Sequence, residues 1–134
     1  MLAPAVFKLP AGHYVAALFP DGVTFVLPPI PGAPTARAKP GDTIIFYGVG
    51  FGPVTPDTPA GQIVMQSNRL PSTFQAFFGG TPATVTFSGL TGGYVGLYQF
   101  NVVVPNVAAS DTVPFTYSLG GVSGQQNLII AVRN

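Results

Sequence analysis

The groups in this chain able to do acid–base or metal chemistry are few. They are His13, Asp21, Asp42, Asp57 and Asp111, five Lys or Arg and five tyrosines, with no glutamate and no cysteine. General acid–base work by carboxylates needs two of them held close in different environments. Each Asp here sits instead in a turn context, PDG, PGD, PDT or SDT, where a carboxylate caps neighbouring backbone N–H groups. His13 has no Cys, Glu or nearby Asp beside it, so it completes neither a zinc site nor a nucleophilic triad. No D-x-D loop collects oxygen ligands for calcium. The expected catalytic and metal residues are therefore none, the expected cofactor is none, and the chain does not read as an enzyme.

Two glycine strings, GVGFG at 48–52 and GLTGG at 89–93, invite a phosphate-loop reading. That chemistry needs a helix N-terminus after the glycines. Neither string precedes a helical pattern or contains a lysine, so both read as tight β turns. Their aromatics, Phe51 and Tyr94, support one alternative function, a carbohydrate-binding accessory module using exposed rings as platforms. The competing reading is that these rings plug the ends of a β-sandwich.

The elements that position these residues follow from composition. Charged residues make up 7 % of 134 positions, while Gly and Pro together number 32. Solvent-facing helices are built on Lys, Glu and Arg, so a helical fold is excluded and short strands joined by Gly/Pro turns remain. The net charge of +1 is scattered. It offers no basic stripe for nucleic acid and no polybasic run for anionic lipid. No apolar run is long enough for a spanning helix, and residues 1–12 lack the pattern of a signal peptide.

Residues 13–19 and 23–27 read as a hairpin around Pro20-Asp21-Gly22. The proline-rich stretch 28–41 reads as a crossover that cannot pair as a central strand. Strands follow at 43–47 and, as a short edge, 62–65. Residues 73–78 and 83–88 read as a hairpin around Gly79-Gly80. Residues 97–104 read as the longest strand, and 113–119 and 128–132 complete the set. The period-two pattern places Tyr98, Phe100, Val102 and Val104, then Val113, Phe115, Tyr117 and Leu119, then Leu128, Ile130 and Val132 inward. The expected fold is all-β, an antiparallel immunoglobulin-like β-sandwich of eight or nine short strands. Residues 1–134 form one domain, with 38–134 as the core sandwich and 1–32 as an N-terminal extension and hairpin.

Four segments carry a family resemblance: KPGDTIIFYGVGFGP (39–53), FFGGTPATVTFSGL (77–90), GLYQFNVVVP (96–105) and LGGVSGQ (119–125). In this order they resemble the uncharacterised Solibacter-type C-terminal domain of secreted acidobacterial proteins, itself similar to IPT/TIG immunoglobulin-like domains. The resemblance implies a sandwich fold, a secreted or cell-surface location and a non-catalytic role.

The N-terminal hairpin points to what that role is. Tyr14, Ala16 and Leu18 alternate with Val15, Ala17 and Phe19, so both faces are apolar, whereas a surface hairpin shows one polar face. Either the chain's own loops cover the second face, or a partner does. The expected function is a structural module for assembly, up to a polymeric filament, or for attachment, acting by strand pairing and apolar burial. The partner is a second copy or an adjoining domain, with glycans under the alternative reading. The interface residues are Leu2, Val6, Phe7, Tyr14, Val15, Phe19, Phe25 and Val26.

Overall fold

The computed structural model describes residues 14–48, 51, 68, 70, 73–91, 97–124 and 128–134. These residues form two packed sheets and no helix. The strands are β1 (Ala17–Leu18), β2 (Phe25–Val26), β3 (Thr35–Ala36), β4 (Thr43–Gly48), β5 (Phe74–Phe78), β6 (Thr81–Pro82), β7 (Thr84–Leu90), β8 (Tyr98–Val103), β9 (Ser110–Leu119), β10 (Val122–Ser123) and β11 (Leu128–Val132). The larger sheet runs β3-β2-β1-β4-β8-β7. The smaller runs β10-β9-β5-β6, with β11 also on β9. Pairing is antiparallel except for β2 with β3 and two single bridges, Tyr14 with Ile129 and Ala38 with Val132. The architecture is the expected antiparallel-rich, immunoglobulin-like sandwich. Among the described residues its strand count is higher because of two-residue pieces, β3, β6 and β10, too short to leave a periodic signal; the expected edge strand at 62–65 lies outside the described residues.

Alternation builds the core as expected in β8, β9 and β11, and β4 joins it through Ile44 and Phe46. Ile44 and Phe46, Phe100 and Val102, and Phe115 and Ile130 are all fully buried between the sheets. The N-terminal hairpin belongs to the same core, through Val15, Ala17 and Val26. Phe46 stacks on Phe115 across the sandwich at 4.7 Å between ring centroids, and Phe74 stacks on Phe100 at 4.0 Å. These pairs add a directional attraction to the burial of large apolar area.

Two sequence expectations are corrected. Residues 73–78 and 83–88 do not pair with each other. The Gly79-Gly80 turn, with φ of 59° and 86°, leads only into β6, which pairs with Phe77 and Phe78. The chain then crosses to the other sheet, where β7 pairs with β8 and bulges between Val85 and Phe87. Alternation specifies which side chains go inward, and both sheets bury the same kind of face, so it does not specify the pairing partner. The longest strand is β9 with 10 residues, not β8 with 6. Asp111 reads locally as a turn residue and the expected strand begins at 113, yet β9 already pairs with β11 from Ser110, opposite Val132. Pro114 contributes its carbonyl, which accepts the Gly79 N–H at 2.7 Å.

Candidate functional site

The larger sheet has an outer face whose side chains follow from the register. Leu18 lies opposite both Phe25 and Ile45, Ile45 opposite Asn101, and Asn101 opposite Phe87. Directly opposed residues share a face. The sequence neighbours Ala17, Ile44, Phe46, Phe100 and Val102 are buried in the core, so this row points outward. Flanking rows place Tyr47 opposite Gln99, and Thr43 opposite Val103 and Thr84 opposite Val103. Leu18, Phe25, Ile45, Tyr47, Phe87 and Val103 are half-buried there. Among the described residues, the face carries no Asp, Lys or Arg. At its centre Gln99 Nε2 donates to Asn101 Oδ1 at 2.9 Å. An exposed sheet face normally alternates to polar residues; here Leu18, Ile45, Phe87 and Val103 are half-buried among Thr43, Thr84, Gln99 and Asn101.

The two-sided hydrophobicity of the N-terminal hairpin resolves largely within the chain. Tyr14, Leu27 and Ala131 form a second small cluster outside the main core, packed by Phe25, Ile30 and Ile129. The proline-rich connection supplies the cover, because it turns back on itself. Ala33 N–H donates to Ile30 carbonyl at 3.1 Å, and Ile30 N–H donates to Thr35 Oγ1 at 3.0 Å. Of the expected interface residues, Tyr14, Val15 and Val26 are thus buried inside the chain itself. They stabilise the fold and present no surface. Phe19 is half-buried against the main core and Phe25 against the small cluster. Leu2, Val6 and Phe7 lie outside the described residues.

Of the two candidate platform aromatics, Phe51 is 7 % exposed and packs in the core. Its ring lies 4.8 Å from Phe100, 5.4 Å from Tyr98 and 6.1 Å from Phe74, edge to face in each case. It plugs the end of the sandwich and is not a ligand platform. Tyr94 lies outside the described residues, as do His13 and Asp57.

The described carboxylates hold structure. Asp21 accepts hydrogen bonds from Val23 N–H and Thr24 N–H, both at 2.9 Å, and from Thr24 Oγ1 at 2.6 Å. The hydroxyl of Thr24, then the two amides, hold its carboxyl below the usual range. Asp42 accepts the Lys39 N–H at 3.0 Å, closing the turn before β4. Asp111 departs from the turn expectation. It lies in β9, and both its oxygens accept from the Arg37 guanidinium, Nη2 donating at 3.0 Å. That bidentate bond lowers the Asp111 pKa and raises that of Arg37. Beside it, Tyr14 hydroxyl donates to the Asp111 carbonyl at 2.6 Å. Burial, then the neighbouring carboxylate, raises the Tyr14 pKa. Together they pin residues 14 and 37 to β9.

An open groove of about 380 Å³ lies at the end of the sandwich near the Pro20 turn, lined by Phe19, Asp21, Thr24, Arg37, Asp42 and Arg133. Its carboxylates and Arg37 are engaged in the bonds just described, while Arg133 Nη1 donates to the carbonyl of Asn134 at 3.3 Å. No group of three or more metal-ligating side chains occurs among the described residues.

Sequence reading missed one buried polar residue. Asn68 is 7 % exposed, and its side chain pairs like a strand with β7. Its Nδ2 donates to Leu90 carbonyl at 3.1 Å, and Leu90 N–H donates to its Oδ1 at 2.6 Å. Leu70 N–H then donates to Ser88 carbonyl at 2.8 Å, so residues 68 and 70 cap part of the outer edge of β7.

Comparison with protein-family models, curated proteins and solved structures finds no match to this chain.

Proposed function

We propose that this chain is a non-catalytic structural module, working outside the cell in assembly or attachment. The observation that carries the reading is the outer face of the larger sheet. At its described positions it carries Leu18, Ile45, Phe87 and Val103 among Thr43, Thr84, Gln99 and Asn101 and no Asp, Lys or Arg, a composition closer to that of a protein–protein contact than of a site for a charged solute. The described carboxylates support the non-catalytic part, because each is tied to a backbone amide or to Arg37. The extracellular placement rests on the likeness of four segments to the Solibacter-type domain. A filament is the extended form of the same behaviour.

The test is the particle size of the full chain across concentration, by light scattering and electron microscopy. Growth of oligomers or filaments, or docking onto an adjoining domain of a parent protein, is the expected result. A monodisperse monomer at millimolar concentration that docks onto no adjoining domain would end this reading.

A further inference from the structure

We infer that the open groove beside the Pro20 turn is a binding site for a neutral saccharide. It is separate from the outer sheet face, and nothing in it depends on assembly. Four segments far apart in the chain meet there: the β1–β2 turn with Phe19 and Asp21, the end of β3 with Ala36 and Arg37, Asp42 before β4, and Arg133 after β11. Backbone bonds hold them in place. Phe19 N–H donates to the Thr24 carbonyl at 2.9 Å, Asp42 N–H to the Lys39 carbonyl at 3.0 Å, and Arg133 N–H to the Ala38 carbonyl at 2.7 Å. The groove is therefore pre-formed, and its volume of about 380 Å³ lies within the range of small-molecule sites.

Charge and unused hydrogen-bonding capacity select the ligand. Two carboxylates, Asp21 and Asp42, and two guanidinium groups, Arg37 and Arg133, line the groove. Their formal charges cancel, so a ligand of either net charge meets two like charges beside its two partners. The structural bonds do not use every polar atom. Asp42 accepts the Lys39 N–H through Oδ2, Arg37 donates to Asp111 through Nε and Nη2, and Arg133 donates to Asn134 through Nη1. Among the described residues this leaves Asp42 Oδ1 as an acceptor, and Arg37 Nη1, Arg133 Nε and Arg133 Nη2 as donors. A sugar hydroxyl donates and accepts at once, so neighbouring hydroxyls bridge a carboxylate and a guanidinium without bringing charge. The half-buried Phe19 ring, with Ala36, offers an apolar wall to the C–H face of a pyranose. A zwitterion such as glycine matches the charges, but it must shed far more hydration and has no apolar face to lay on Phe19. An open groove covers its ligand on one side only, which sets a dissociation constant of about 1–20 mM.

The test is a titration of the isotope-labelled full chain, followed by amide shifts in NMR. The probes are glucose, galactose, N-acetylglucosamine, maltose and cellobiose, each to about 100 mM, with glucuronate, glucosamine and glycine as the charged arms. The variants are Arg133→Ala, Asp42→Asn and, as a control, Val122→Ser. Asn at 42 keeps an oxygen for the Lys39 N–H and turns the free acceptor into a donor. The Arg133 side chain bonds only its neighbour Asn134. Both variants should therefore keep the wild-type Tm. Val122 is 73 % exposed on the β9–β10 hairpin and takes no part in the groove. The expected result is a saturable shift of amides in 19–24, 36–42 and 133 with at least one neutral sugar. Its dissociation constant should rise at least about fivefold in Arg133→Ala and in Asp42→Asn, and stay unchanged in Val122→Ser. No saturable shift with any neutral sugar overturns the site, as does an unchanged constant in both groove variants. Tighter binding of glucuronate, glucosamine or glycine overturns it too, since the groove would then read charge. The assembly reading is scored separately, by particle size.

Discussion

Replacing Gly124 with alanine should destabilise the sandwich through one contact. Gly124 follows β10, and its N–H donates to the Tyr117 carbonyl at 2.8 Å. A Cβ on it would stand 2.4 Å from Tyr117 Cζ, 2.5 Å from Cε2 and 2.8 Å from Cε1. Carbon pairs rest near 3.5 Å or beyond, so the ring must retreat by about 1 Å. Little space receives it, because Tyr117 is 7 % exposed and its ring is flanked by Phe51 and Phe74 at 6.0 Å and 6.1 Å. Overpacking of this kind costs about 1–3 kcal/mol. The reduced freedom of the unfolded chain returns about 0.4–1 kcal/mol. The net loss is up to about 2.6 kcal/mol, or a fall in Tm of up to about 10 °C for a chain of this size. Urea unfolding followed by circular dichroism measures it. In a Tyr117→Leu background the same change should cost less than about 0.5 kcal/mol, since the ring it strikes is gone. A raised stability for Gly124→Ala in the native background, or an equal cost in the Tyr117→Leu background, refutes the packing described.

Asn68→Ala should cost about 2–4 kcal/mol by leaving the Leu90 N–H and carbonyl without their side-chain partner, measured by urea unfolding, with Asn68→Asp failing to restore it because a carboxylate cannot donate to the carbonyl. Phe51→Ala should cost about 3–5 kcal/mol by emptying the aromatic plug; a loss under about 1 kcal/mol in thermal unfolding would place that ring outside the core. The depressed folded-state pKa of Asp111 gives stability that is fully present above the unfolded-state value and lost as pH falls through the folded one. Wild type should therefore lose Tm in acid more steeply than Asp111→Asn, and 1 M salt should shrink the difference at neutral pH because the pair is partly exposed. Parallel pH profiles for the two proteins would remove the ion pair from the account.

The amino-acid sequence determined the fold class and most of the core. Charge scarcity and abundant Gly and Pro exclude helices, and period-two alternation marks the inward residues of β8, β9 and β11, because a strand's two faces are encoded two residues apart. The turn roles of Asp21 and Asp42 were legible for the same local reason. Tertiary structure decided what depends on distance along the chain. Arg37 meets Asp111 across 74 positions and Asn68 meets Leu90 across 22, and no local pattern encodes either pair. The hairpin's two apolar faces were legible. Only the folded-back loop carrying Ile30 showed that the chain covers Tyr14 and Leu27 itself. The sheet register then moved the candidate surface from the hairpin to the row through Leu18, Ile45, Asn101 and Phe87. Those residues come from four separate strands, so their common face exists only once the sheet has formed.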